Sequence, residues 1–201
     1  KTGTLTRNEM VVVAAETAEG AFTVTGEGYE PKGEISPAGD LSRLARAAAL
    51  CNDAALHMRD GQWIVEGDPM EGALLAFAAK AGGVAPSARV DAVPFDSRHR
   101  FMAVLGSDGV THVKGAPERV LRMCRDVDYG LWHDRAEAMA RQGLRVLAFA
   151  ERAEAGDRID TATLDGGLTF IGLLGLIDPP RPEAIAAVAE CRAAGIRVKM
   201  I

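Results

Sequence analysis

The chain has 201 residues, of which 48% are hydrophobic and 25% are charged, values ordinary for a soluble globular protein with a sizeable core. Its net charge of −5 argues against a nucleic-acid-binding protein, because such proteins carry a strong basic excess. The longest apolar run, Leu168 to Ile177, is about half of the roughly 20 residues that a membrane-spanning helix needs.

The three cysteines are isolated from one another along the chain: Cys51, Cys124 and Cys191. None has the paired spacing of a metal site, and each lies in an apolar, helix-like pattern. We therefore expect buried free thiols in a reducing compartment. The chain begins with Lys and ends in Lys-Met-Ile, so we expect it to belong to a longer protein.

The first third of the chain predicts short strands and two helices. Residues 10–15 and 21–25 are β-type runs, and residues 62–65 form another. Asp40 is positioned to cap a helix that continues to about Asp53. A second helix, to about residue 80, follows a capping box of Asp68, Pro69 and Glu71.

The stretch from Val93 to Glu118 predicts a β-hairpin, because two β-compatible runs flank Ser-Asp-Gly. Between residues 93 and 125 there are six Lys or Arg and three Asp or Glu. The hairpin carries the aromatic ring of Phe95 and a glycine, Gly115, whose backbone is not covered by a side chain. It also carries three cationic side chains: Arg98, Arg100 and Lys114. This combination predicts a pocket for a stacked base with an anionic tail.

The last third changes character. Residues 117–124 and 131–141 predict helices, and residues 143–150 predict a strand. Leu168–Ile177 predicts a strand buried on both faces. A helix over residues 183–194, with Ile185 inward, and a strand from residue 196 would complete a βαβ unit in a parallel sheet. We therefore expect an α+β body of antiparallel hairpins and helices, with α/β pieces at the chain ends.

Seven segments together resemble the P-type cation-transporting ATPases. They occur in that family's order: Lys1-Thr-Gly-Thr-Leu-Thr6, Cys51-Asn-Asp53, Gly67-Asp-Pro-Met-Glu71, Pro94-Phe95, Lys114-Gly-Ala-Pro-Glu118, Gly143-Leu-Arg145 and Asp178-Pro-Pro-Arg181. Residues 22–33 are similar to the calcium-pump-like branch in particular. The resemblance implies a nucleotide-binding domain over residues 8–165, an antiparallel sheet flanked by helices. It implies pieces of a haloacid-dehalogenase-like phosphorylation domain over residues 1–7 and 166–201.

The same resemblance implies a set of nucleotide contacts: Glu71, Phe95, Arg100, Met102, Lys114, Gly115, Ala116, Arg145 and Leu147. Phe95 would stack on adenine and Lys114 would lie at the pocket floor. Glu71 would accept a hydrogen bond from the adenine amino group, although the capping box offers it a purely structural role. Arg145 would meet the phosphates, with Leu147 beside the ring, and Gly115 and Ala116 would let the base approach the backbone.

The resemblance also implies chemistry that this chain does not carry alone. The phosphorylated aspartate would precede Lys1, with Lys1, Thr2 and Thr4 as its supporting loop. The Thr2 carbonyl would bind Mg²⁺ in the intact pump. We therefore expect ATP and Mg²⁺ as ligands, and a fragment that binds ATP without hydrolysing it. Asp178 and Arg181 would organise the hinge between the domains.

The implied parent is an integral membrane pump, and this chain would be a soluble part of its cytoplasmic portion. Its partners would be ATP and the remaining phosphorylation, actuator and transmembrane domains. The transported cation would bind elsewhere, and no nucleic acid is expected. Two alternatives stay open: a soluble haloacid-dehalogenase-like phosphohydrolase with a large cap, and a nucleotide-binding or interaction module without catalysis.

Overall fold

The fold is organised by one antiparallel sheet of eight strands, in the order β3-β2-β1-β10-β9-β8-β7-β6. A computed structural model describes residues 3–154 and 156–199. The strands are β1 (Val11–Thr17), β2 (Gly20–Val24), β3 (Ile35–Ser36), β4 (Ala55–Arg59), β5 (Gln62–Glu66), β6 (Arg89–Val93), β7 (Phe101–Gly106), β8 (Val110–Gly115), β9 (Arg145–Ala153) and β10 (Thr169–Ile177). The helices are α1 (Ser42–Leu50), α2 (Pro69–Lys80), α3 (Pro117–Met123), α4 (Tyr129–Arg141) and α5 (Pro182–Ala193).

Helices cover both faces of the large sheet. Strand side chains such as Leu147 and Phe149 pack with α1 and α2 on one face. Their chain neighbour Ala148 points the other way, with Val113, towards α3 and α4. This alternation is the period-two pattern of a strand with a helix layer on each side. The prediction of an antiparallel sheet flanked by helices is confirmed.

The parallel βαβ unit predicted at the end of the chain is wrong. β10 pairs antiparallel with β1 on one side and with β9 on the other, so it is a central strand of the large sheet. Its continuous apolar sequence has a different cause, because helices cover both of its faces. The proposed boundary between residues 165 and 166 thus falls inside one continuous sheet. Residues 196–199 form no strand.

Helix α5 forms where the sequence predicts a helix, but it buries none of its residues. Ile185, expected to point inward, is 57% exposed. The Pro-rich connector Asp178–Arg181 precedes α5, and the described part of the chain leaves each side chain of the helix at least partly exposed.

Other local predictions are confirmed or refined. α2 begins as expected, with the Asp68 carboxylate accepting from the amides of Met70 and Glu71. α1 instead begins after Leu41, and Asp40 accepts from the Ser42 amide at 2.9 Å. The two-stranded β4–β5 hairpin includes one strand, β4, that the sequence analysis missed.

The cysteines are free, as predicted, but only Cys51 is fully buried. Burial raises the pKa of its thiol to about 12. Within residues 3–154 and 156–199, none of the helices combines the length and the apolar character needed to cross a bilayer.

Candidate functional site

A cavity of about 560 Å³ opens at the end of the large sheet where β8 ends and β9 begins. Its walls come from five places in the chain: Asp53, Asp68–Glu71, Pro94 to Arg100, the end of β8 and the start of β9. The lining residues are Asp53, Asp68, Met70, Glu71, Pro94, Phe95, Arg100, Lys114, Gly115, Ala116, Pro117, Arg145, Val146 and Leu147. Eight of these were predicted as site residues from the sequence, and the fold brings them together.

The floor of the cavity is a buried ion pair. Lys114 is only 4% exposed, and its ammonium group donates to Oε1 of Glu71. The other carboxylate oxygen, Oε2, accepts from the backbone amide of Asp53 at 3.0 Å. A buried cation needs such a partner, because leaving it unpaired costs several kcal/mol, of order 3. The pair therefore neutralises the floor.

This geometry bears on the structural role proposed for Glu71 in a capping box. Asp68 does cap α2 through its carboxylate, but the Glu71 side chain does not return the bond to Asp68. It turns across the cavity floor to Lys114 and Asp53 instead. Within the described residues, Glu71 therefore belongs to the cavity rather than to a complete capping box.

Met102, a predicted nucleotide contact, does not line the cavity. It lies directly opposite Lys114 across the β7–β8 ladder and is 1% exposed. Its backbone carbonyl accepts from the Cys51 thiol at 3.4 Å. Since it packs beneath the sheet end with Cys51 and Val104, the geometry places it as a support under the floor rather than as a contact.

Phe95 stands at the mouth of the cavity with 60% of its surface exposed. It lies in the loop that joins β6 to β7, next to Pro94. An aromatic side chain of the hydrophobic core would be buried, so Phe95 is not a core residue. An exposed ring on a cavity wall is available to stack on a ligand.

The two nearby arginines differ. Arg100 lines the cavity and forms an ion pair with Glu118, while its backbone adopts a left-handed conformation with φ of 57°. Arg98 is absent from the lining and pairs with Asp96 at 2.7 Å. Hydrogen bonds from Arg98 lower the pKa of the Asp96 carboxyl to about 2. Arg98, which the sequence placed among the three cations of the hairpin pocket, therefore does not belong to the cavity lining.

A glycine is needed at position 115 for a structural reason that the sequence did not reveal. A Cβ atom at this position would lie 2.5 Å from the carbonyl oxygen of Arg100 and 2.9 Å from Cα of Phe101. The close approach is to β7 itself rather than to a ligand. Ala116 follows as the residue before α3 and donates its amide to the same Arg100 oxygen at 3.0 Å.

Arg145 and Leu147 form the wall opposite Phe95. They begin β9 on the face that also carries Lys114, and Arg145 is exposed while Leu147 is 8% exposed. Across the two described ranges Arg145 makes no ion pair. It is therefore a cation with no protein anion assigned to it.

The sequence analysis missed several lining residues, Asp53 and Met70 among them. Both lie within motifs that were quoted for other residues, so their position beside Glu71 was available as a signal. A second cavity of about 450 Å³, lined in part by Arg125, Trp132 and Phe170, contains none of the predicted site residues.

Of the predicted catalytic loop, only Thr4 lies within the described residues. Thr4 is exposed and does not line the cavity, while Lys1 and Thr2 lie outside the described residues. Nearby, the Thr6 hydroxyl donates to Asp178 at 2.6 Å, and Arg181 donates to the Thr6 carbonyl at 3.0 Å. These contacts join the segment before β1 to the segment after β10, and the hinge role expected for Asp178 and Arg181 stays a prediction.

No cluster of three or more His, Cys, Asp or Glu side chains suited to a metal ion occurs in residues 3–154 and 156–199. The described residues therefore do not by themselves fit a Mg²⁺ site.

Comparison with known proteins supports the resemblance. The family described as "P-type ATPase, cytoplasmic domain N" matches residues 40–183. The cation-transporting ATPase pma1 of Synechocystis sp. is 44% identical over the whole chain, which covers 26% of that protein. A calcium-transporting ATPase of Bacillus subtilis is 36% identical, again over the whole chain and 26% of that protein. The human calcium-transporting ATPase type 2C member 1 is 35% identical over the whole chain and 24% of its own length. The chain thus spans about a quarter of these relatives.

Proposed function

We propose that the cavity binds ATP, because this chain belongs to the P-type ATPase family and contains its cytoplasmic domain N. The observation that carries the proposal is the joint placement of an exposed aromatic ring and a buried, paired lysine in one cavity. Phe95 offers a stacking face at the mouth, and Lys114 with Glu71 forms a polar floor.

The strand order supports one orientation of the nucleotide. Phe95 follows β6 and Arg145 begins β9, and these strands are three positions apart in the sheet. Strands lie about 4.8 Å apart, so β6 and β9 are separated by about 14 Å. We propose that the base stacks on Phe95 and that the phosphates extend towards the β9 wall.

The distribution of charge supports the same orientation. Lys114 is neutralised by Glu71, and Arg100 is paired with Glu118. Arg145 is the lining cation that has no carboxylate partner in the described ranges, so it is available to a phosphate group. Guanidinium groups suit this role because their planar donors match phosphate oxygens.

The proposal is tested by titrating the folded chain with ATP and following amide chemical shifts by NMR. Phe95→Ala should weaken binding by about 1–3 kcal/mol, the usual contribution of base–aromatic stacking. Met58→Ala is a matched control, since Met58 is 56% exposed on β4 and does not line the cavity. Equal affinities for the unchanged chain and Phe95→Ala would refute the stacking assignment.

The second part of the proposed function concerns the longer protein to which this chain would belong. We propose that the parent transfers the γ-phosphate of ATP to an aspartate before Lys1 and so drives cation transport, with Mg²⁺ bound outside the residues described here. Phosphoryl transfer depends mainly on positioning and charge neutralisation, so a domain that binds and delivers ATP is a sensible component.

We further propose that this chain alone binds ATP without hydrolysing it. Phosphate release measured with the purified chain should remain at the background rate, while the full-length protein should form an acid-stable phosphoenzyme. Phosphate release by the chain itself would contradict this part of the proposal and favour the soluble phosphohydrolase.

A further inference from the structure

We propose that Arg89, which does not line the cavity, is a positioning residue for its floor. This inference rests on the proposed function only where nucleotide affinity is concerned. Arg89 begins the edge strand β6, and its guanidinium group reaches the loop that follows α1. The sequence analysis assigned it no role.

The first step is the contact between Arg89 and this loop. One terminal nitrogen donates to Oδ1 of Asp53 at 2.6 Å, and the other donates to the backbone carbonyl of Asn52 at 2.6 Å. The guanidinium group thus bridges a side chain and the main chain of consecutive residues. A lysine has one compact donor group and would not match both acceptors in this geometry.

The second step is the support of the same loop from the helical side. Asn52 is 7% exposed, and its side-chain amide donates to the carbonyls of Ala48 at 3.1 Å and Glu71 at 2.9 Å. Its side-chain oxygen accepts from the Ala54 amide at 2.9 Å. The loop is therefore anchored to α1 and α2 by Asn52, and to the sheet by Arg89.

The third step connects the loop to the cavity floor. The Asp53 amide, in the segment that Arg89 holds, donates to Oε2 of Glu71 at 3.0 Å. Glu71 in turn pairs with Lys114. A chain of contacts thus runs from Arg89 through Asp53 and Glu71 to Lys114. Without Arg89, the loop loses its connection to the sheet, and the Asp53 amide is held less firmly against the floor.

The alternative is that Arg89 and Asp53 form an ordinary surface ion pair, which would contribute little. Their side chains are 40% and 54% exposed. The chain offers a matched control in Arg46 and Asp108, which pair at the same 2.6 Å and also join α1 to the sheet. Neither residue of that pair lines the cavity.

The experiment compares Arg89→Ala, Arg89→Lys and Arg46→Ala with the unchanged chain. Without nucleotide, hydrogen exchange at the Asp53 amide should become faster in Arg89→Ala by roughly three- to tenfold, the effect of losing one hydrogen bond. Arg89→Lys should restore part of this protection, and Arg46→Ala should leave it unchanged. Unfolding midpoints measured on the same samples separate a local effect from a global one.

ATP affinity provides the second readout. Arg89→Ala should weaken binding by about three- to tenfold, whereas Arg46→Ala should not change it. If Arg89→Ala matches Arg46→Ala in both exchange and affinity, the inference is overturned. If the unchanged chain does not bind ATP, the proposed function fails, and exchange at the Asp53 amide still decides the role of Arg89.

Discussion

At the scale of single residues, the most consequential feature is a lysine buried at the floor of a cavity. Lys114 and Glu71 are 6% and 12% exposed in their side chains. The sequence could mark Lys114 as a site residue through its Gly-Ala-Pro-Glu context, but it left Glu71 with two competing roles. Only the fold, which brings α2 over the end of β8, shows that its carboxylate pairs with Lys114.

The pair gives a prediction about stability. Lys114→Ala should lower the free energy of unfolding by about 3 kcal/mol, because it leaves the Glu71 carboxylate buried without its cation. Urea denaturation of the variant measures this loss. The double variant Lys114→Met with Glu71→Gln removes both charges and should recover most of the stability. It should not recover ATP binding. If Lys114→Ala is as stable as the unchanged chain, the burial of the pair is contradicted.

A second residue-scale prediction concerns His112, which is 1% exposed on β8 and whose ring nitrogens form no hydrogen bond with the described residues. Burial lowers the pKa of the His112 imidazole from its usual 6.5, and the cation Arg46 lowers it further. The carboxylates of Glu151 and Asp108 act in the opposite direction, but burial has the largest effect. Since the unfolded chain binds the proton more readily, stability should be complete above about pH 6.5 and should fall as the pH drops below it.

The measurement is the free energy of unfolding between pH 7 and pH 5. His112→Asn should reduce the slope of the unfolding free energy against pH, because it removes the buried titrating group. His57→Asn is the control, since His57 lies exposed on β4 beside Glu66. If both variants keep the slope of the unchanged chain, a group other than His112 governs the acid response.

At the scale of elements, local sequence signals predicted most helices and strands but not their partners. The β7–β8 hairpin was predictable because Ser-Asp-Gly is a short-range turn signal. The pairing of β10 was not, because an apolar run shows that both faces are covered without showing the direction of the neighbouring strands. β10 joins β1 and β9, which lie far from each other in sequence.

An element-scale prediction concerns the packing of α2 against the β4–β5 hairpin. A Cβ atom at Gly72 of α2 would lie 2.2 Å from Cγ2 of Val65. Gly72→Ala should therefore destabilise the chain, even though alanine favours a helix by about 1 kcal/mol over glycine. Thermal unfolding would detect the loss.

Gly130, near the start of α4, provides the matched control for Gly72. A Cβ atom there would meet only Oδ1 of Asp128, at an ordinary 3.6 Å. Gly130→Ala should leave stability unchanged or raise it slightly. An equal gain from both substitutions would show that the β4–β5 hairpin moves away from α2 without cost.

At the scale of the whole molecule, the large sheet contains strands from near the start and from near the end of the described chain. β1 and β10 pair with each other, and Thr6 and Arg181 hold the segments just outside them. β10 lies fourth in the strand order and separates β1 from β9. The sheet is therefore continuous only when the segment after residue 165 is present.

This topology predicts the outcome of two truncations. A chain ending at residue 165 should lose cooperative unfolding, because β1 and β9 lose their shared partner. A chain ending at Arg181 should keep it, because α5 buries no residue. Circular dichroism with urea denaturation distinguishes them. A cooperative fold in the shorter chain would support the boundary first expected between residues 165 and 166.

The sequence by itself determined the family, the positions of most elements and the main candidates for the site. Those features depend on short motifs and local periodicity, which each segment carries independently. The tertiary structure decided the pairing of β10, the exclusion of Met102, the structural need for Gly115 and the contacts of Glu71. These depend on which distant segments become neighbours, and Arg89 shows the consequence: its partners Asn52 and Asp53 are more than thirty positions away, and only folding brings them within 2.6 Å.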